Sequence, residues 1–109
     1  MEGEWYAHNI IRIKHSGLIL GKHHHDYTEV FFTPTGGFKF VLLNSNEQIP
    51  NKHELSAGDR ILIPPYIDHV LNGETNSILI GYGDVEFDPK RLIPCDENTL
   101  EIMLKELNL

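Results

Sequence analysis

Three histidines in succession, His23, His24 and His25, lie within "GLILGKHHHDYTEVFFTPTGG" (17–37), and Glu29 follows His25 by four positions. In an extended strand alternate side chains share a face, so His23, His25, Tyr27 and Glu29 project together while His24 turns the other way. Two imidazoles at i and i+2 can grip one cation. At the strand rise of ~3.3 Å per residue, Glu29 lies about 13 Å along from His25. A shared site therefore requires the chain to bend, and "DYT" (26–28) offers the turn. The competing reading of this stretch is a solvated polar loop.

A fourth donor comes from "GDRILIPPYIDHV" (58–70). A glycine turn leads into a short apolar strand, Pro64 and Pro65 stop it, and His69 follows in the next strand. The two prolines fix the backbone at the strand exit and so fix where His69 points. Three imidazole nitrogens and one carboxylate oxygen form a borderline set suited to a divalent Fe, Mn, Ni, Co, Cu or Zn ion. Tyr27, which shares the ligand face, and Tyr66 and Asp68, beside His69 in the chain, are the candidate catalytic helpers. Tyr82, Lys22 and Arg60 stand behind them. For each, the plainer reading is a packing ring or a solvated charge. Asp68 equally suits orienting a histidine from behind.

These residues need strands to hold them. Short apolar runs fill residues 9 to 82: "NIIRI", "GLIL", "EVFF", "FKFVLL", "RILI" and "SILIGY". Each is rich in Ile, Val or Phe and bounded by Gly, Pro, Asn or Ser, the pattern of strands rather than helices. Six to eight strands at this spacing predict a sandwich or barrel. The chain then changes character. "CDENTLEIMLKELNL" places Leu100, Met103, Leu104 and Leu107 on one helix face, with Asp96 as N-cap. Pro89 and Pro94 bar a helix earlier. The expected organisation is one β-domain over 1–94, with an amphipathic helix over 95–109 packed on it.

Composition narrows the function classes. The chain of 109 residues has a formal net charge of −7, and its nine Lys and Arg are scattered singly. A duplex-binding surface clusters its basic residues, so nucleic acid is not an expected partner. Anionic membrane surfaces are disfavoured for the same reason. The single cysteine, Cys95, excludes an internal disulfide. The N-terminus lacks the charge pattern of a signal peptide, and no run approaches the roughly 20 apolar residues of a membrane span. The expectation is a soluble, cytoplasmic protein. The histidine run is internal, which argues against an engineered tag.

The two histidine-bearing stretches resemble the cupins. Gly17, His23, His25, Glu29 and Gly36 match the first cupin motif at every position. Gly58, Pro64 and His69 look like the second. Two positions depart from it: Tyr66 stands where a glycine is usual, and Gly73 where an asparagine is usual, with Asn72 one earlier. The resemblance implies an all-β double-stranded β-helix, or jelly-roll, barrel. It also implies one divalent transition metal held by His23, His25, Glu29 and His69, and a homodimer paired through its sheets. Apolar groups on both faces of "VFF" and "FVLL" agree with pairing. The ligand or substrate implied is a small oxygen-rich metabolite such as a sugar derivative, handled by isomerase-like or epimerase-like carbonyl chemistry. An iron-dependent dioxygenase and a metal-assisted binding module without turnover are the alternatives. Within such a barrel, His8, His15 and His53 read as surface residues, His24 as a surface group or pocket wall, and Trp5 as packing near the edge.

Overall fold

The computed structural model describes residues 3–44 and 46–107. The strands are β1 (Tyr6–Arg12), β2 (Leu20–His24), β3 (Glu29–Thr35), β4 (Gly37–Asn44), β5 (Asn51–Ser56), β6 (Arg60–Ile63), β7 (Ile67–Gly73) and β8 (Ile78–Gly83). A 3-10 turn (Pro89–Arg91), a short strand β9 (Ile93–Pro94) and the helix α1 (Glu97–Leu107) follow. Antiparallel pairing builds two sheets, in the orders β1-β8-β3-β6 and β5-β4-β7-β2-β9. The expected sandwich or barrel with one C-terminal helix is therefore observed. β5 is marked by no apolar run and, unlike β7, carries no expected ligand. It pairs only with β4 and buries Leu55 alone, so a polar sequence suffices there.

Side-chain alternation along β4 divides the apolar residues between two cores. Phe38 and Phe40 point between the sheets, where they join Phe31, Ile61, Ile63, Leu71 and Leu79. Val41 and Leu43 point the other way and meet Met103 and Leu107 of α1. Burying each of these two helix side chains contributes about 1.5–3 kcal/mol. The Asp96 carboxylate accepts a hydrogen bond from the Thr99 backbone N–H at 2.8 Å, the N-cap expected from the sequence. The outer apolar face of "FVLL" is thus covered by the chain's own helix rather than left for a partner. Asn108 and Leu109, the end of the expected helical segment, lie outside the described residues.

Two β-bulges set the orientation of the histidines. In β2, Leu20 pairs with Leu71, Gly21 with Val70 and His23 with His69, so Lys22 is an extra residue. Gly21 and Lys22 take φ of 85° and 67° to accommodate it. The added residue lets Leu20 and His23 both face the interior while Lys22 stays exposed. In β1 the register shifts between Ala7 and Asn9, which leaves His8 as the bulged residue. Both His8 and Asn9 then lie over the glycines of β8. A Cβ on Gly83 would sit 2.2 Å from the His8 ring, and one on Gly81 would sit 2.6 Å from the Asn9 side chain. Among the described residues no helix is long and apolar enough to cross a membrane.

Candidate metal centre

β2 ends at His24, the chain turns, and β3 begins at Glu29, so the bend required of "DYT" exists. It closes the strand distance completely: His25 Nε2 lies 2.9 Å from Glu29 Oε1. His69, opposite His23 on β7, places its Nε2 3.9 Å from the same oxygen. One ring nitrogen from each of His23, His25 and His69 falls within 4.8 Å of the others. Two distant stretches of chain thereby bring three imidazoles together, with the Glu29 carboxylate against two of them.

Backbone carbonyls determine which nitrogen of two rings is free. A carbonyl only accepts, so His25 Nδ1–H donates to Tyr27 O and His69 Nδ1–H donates to Ile67 O, each at 3.0 Å. Both Nε2 lone pairs must then face the interior. His69 Nε2 is buried and has no hydrogen-bond partner. His25 Nε2, already lacking its proton if neutral, faces a carboxylate oxygen, a contact that calls for a cation or a proton between them. One orphaned nitrogen and one facing a carboxylate, each on a ring whose other nitrogen is tied to a carbonyl, fit a transition metal. Burial, reinforced by His23, lowers His69 from its ordinary value to about 3. Burial and the neighbouring His25 lower His23 as well. His23 and His69 are thus neutral donors near pH 7.

His8 is not a surface residue. Its side chain is 1% exposed, with Nδ1 at 3.9 Å from Glu29 Oε2. The bulge in β1 is the reason, because regular alternation with Ile11 and Ile13 would have turned it outward. Its Nε2–H donates to Val85 O at 2.7 Å, and its Nδ1 is buried without a partner. Glu29 therefore has an imidazole at each oxygen, His25 on one side and His8 on the other. The strand glycines Gly81 and Gly83 were the available signal, since glycine inside a strand often marks a close approach.

The three candidate helpers fall in different places. Tyr27 is buried, stacks on His25 with ring centroids 4.0 Å apart, and lines the cavity beside Glu29. Burial and the Glu29 charge push its phenol up to about 12. Tyr66 is 63% exposed, lies against His24 outside the cavity, and has φ of 66°. It thus adopts the left-handed conformation usual for glycine, so the turn survives the substitution noted in the second motif. Asp68 is buried on the face of β7 opposite His69. There it accepts a hydrogen bond from His24 Nδ1 at 2.8 Å. Burial and a hydrogen bond with Asp68 push the Cys95 thiol up to about 12. His24, Asp68 and Cys95 form an outer cluster behind the site. His15 and His53 are exposed, as expected.

The cavity in front of the histidines holds about 150 Å³. Glu29, His23, His69 and Tyr27 supply its polar wall. Phe87 and Leu92, from the segment after β8, stand beside its mouth. That segment is strapped to the 25–28 turn. Arg91 Nε–H donates to Asp26 at 2.8 Å, its guanidinium lies 5.7 Å from the Tyr27 ring centre, and Thr28 N–H donates to Asp84 at 3.1 Å.

No described protein family matches this sequence, and no curated protein is similar to it. Solved structures are similar in fold. The sugar 3,4-ketoisomerase QdtA from Thermoanaerobacterium thermosaccharolyticum, in complex with TDP, superimposes with a TM-score of 0.71 at 19% identity, over 94% of this chain and 74% of that one. The TDP-quinovose 3,4-ketoisomerase WlaRB from Campylobacter jejuni gives 0.71 at 18% identity, over 93% and 74%. The capsular polysaccharide assembling protein CapF from Staphylococcus aureus gives 0.68 at 22% identity, over 85% of this chain and 28% of that one. Likeness at this identity establishes the fold, and the fold is that of the cupins.

Proposed function

We propose that this chain is a metal-dependent cupin enzyme that performs isomerase-like carbonyl chemistry on a small oxygen-bearing metabolite. The convergence of the Nε2 atoms of His25 and His69 on Glu29, each ring locked by a carbonyl at Nδ1, carries this reading. The ketoisomerases that share the fold support carbonyl chemistry over the alternatives. His23, His25, His69 and Glu29 would hold the ion.

When bound, a divalent ion supplies Lewis acidity toward a carbonyl oxygen. Shifting a carbonyl along a carbon chain also moves a proton between neighbouring carbons, which needs a base. Glu29 lines the cavity, and its Oε2 is the carboxylate oxygen not engaged by His25. A proton taken up there faces the lone pair of His8 Nδ1, whose orientation Val85 O fixes. Tyr27 stays protonated near pH 7 and keeps a hydroxyl proton to donate.

The experiment is elemental analysis of untagged protein beside His69→Ala. The expected result is about one equivalent of transition metal in the parent and a loss of roughly tenfold or more in the variant. Full metal content in His69→Ala contradicts the ligand set. Ketose isomerisation without oxygen uptake separates the proposed chemistry from that of a dioxygenase, and binding without product leaves a binding module.

We also propose a homodimer through the outer face of the four-stranded sheet. Ile10 pairs with Ile80, and Ile80 with Phe32, across three neighbouring strands, and Leu62 extends the apolar stripe. Ile10 is 77% and Leu62 54% exposed, and α1 covers the other sheet.

A further inference from the structure

The size and lining of the cavity restrict what can reach the four donors. Its volume of about 150 Å³ matches a space that accepts a molecule of benzene's bulk. Sites for drug-sized ligands measure roughly 300–1,000 Å³. Further along the same strands, at the other end of the cavity, stand Leu20, Phe31 and Leu71, joined by Ile11 and Leu79. Phe31, Leu71 and Leu79 belong to the inter-sheet core, so this end cannot retreat without opening the packing of the domain. A free sugar carries a hydroxyl on nearly every carbon, and those turned toward this end would give up water for hydrocarbon.

The approach to the cavity adds a second restriction. The adjoining hollow, which shares Phe87, is lined by Tyr6, Asp84, Glu86, Asp88 and Arg91. The one cationic side chain of that lining is already held by Asp26 at 2.8 Å. A diphosphate placed there would meet three carboxylates with no free positive group among the lining residues.

We infer that the substrate is a compact molecule of fewer than about ten non-hydrogen atoms, with oxygen donors at one end and an apolar body at the other, and without a nucleotide. A short hydroxyketone fits this chemistry, and a diketone of the same size presents similar oxygen donors without turning over. The inference rests on the reading of the histidine–glutamate end as the ligand-binding end. It narrows that reading from oxygen-rich metabolites in general to amphipathic ones.

The test is methyl NMR of zinc-loaded and metal-free protein titrated with acetylacetone, D-fructose and TDP, with zinc measured in each sample. Acetylacetone is expected to shift the Leu71 and Leu79 methyls saturably, at concentrations at least about tenfold below any effect of fructose or TDP. In metal-free protein the same methyls should move, more weakly. Filling the cavity by Leu20→Phe, or its mouth by Leu92→Trp should the first variant fail to fold, should weaken acetylacetone about tenfold with zinc content unchanged. Fructose or TDP acting at equal or lower concentration overturns the inference. So do unmoved methyls in both protein forms, or a filled variant that binds like the parent. Failure to load zinc, with the metal-free shifts intact, overturns the metal reading instead and leaves the restriction standing.

Discussion

The backbone of Gly21 rests directly against the carbonyl of His69: a Cβ added there would lie 2.7 Å from that oxygen. Gly21 also has φ of 85°, so alanine at this position meets both backbone strain and a neighbour that cannot move aside. Gly21→Ala is expected to destabilise the fold by about 2 kcal/mol or more. It should also lower metal occupancy, because the displaced strand carries His69. Denaturant melts and elemental analysis of the variant check both effects, and unchanged values in both would refute the argument.

Stability of the metal-free protein should depend on pH through His69. Burial lowers its folded value from 6.5 to about 3, whereas the unfolded chain binds a proton at its ordinary value. Between these limits the unfolded state holds more protons, so stability is full above about pH 6.5 and declines as pH falls toward about 3. His23 shifts in the same direction. Urea melts at about pH 7.5 and pH 4.5 should differ by an amount on the order of a few kcal/mol. His69→Gln should flatten the profile, and equal slopes in parent and variant would count against a buried neutral His69.

Tyr66 is the residue most open to improvement. Its φ of 66° is costly for a side chain with a Cβ, and the ring is largely exposed. Its backbone N–H donates to His25 O at 2.7 Å, so the turn must keep its shape. Tyr66→Gly keeps that bond and relieves the strain. The expected gain is up to about 1 kcal/mol after the added entropy of the unfolded chain is subtracted. A destabilised variant would mean that the contact of Tyr66 with His24 outweighs the strain.

His8→Ala removes a buried ring and leaves Val85 O without its donor. A loss of about 2–3 kcal/mol is expected. Faster amide exchange around residues 85–87 should accompany it, since that segment loses an anchor. Metal content should hold, because His23, His25, His69 and Glu29 remain. Loss of metal would place His8 among the ligands.

Leu62→Lys would charge the exposed apolar sheet face. Sedimentation at low micromolar concentration is expected to show a dimer for the parent and a monomer for the variant. A monomeric parent would refute the interface.

Much of this arrangement was legible in the residues because it follows from local rules. Apolar runs marked most strands, the spacing of Met103 and Leu107 marked the buried helix face, and Asp96 marked its cap. The histidines and Glu29 were legible as a motif with a turn between them. What stayed hidden depends on pairing between distant strands. β5 is polar because it is an edge, and only its place beside β4 makes it a strand. Simple alternation turned His8 outward, and one bulged residue reversed it. Asp68 stands next to His69 in the chain and on the opposite face of β7, where it serves His24 instead.

Lys22 contributes nothing to the cavity except its presence in the count. Deleting it would leave Leu20 and His23 two residues apart, the spacing at which side chains on a regular strand share a face, so His23 would still stand opposite His69. The extra residue therefore sets the local bend of the strand and the angle at which the ring is presented, not the side on which it falls. A lineage that lost this one codon would keep every ligand inside the barrel and change only their aim.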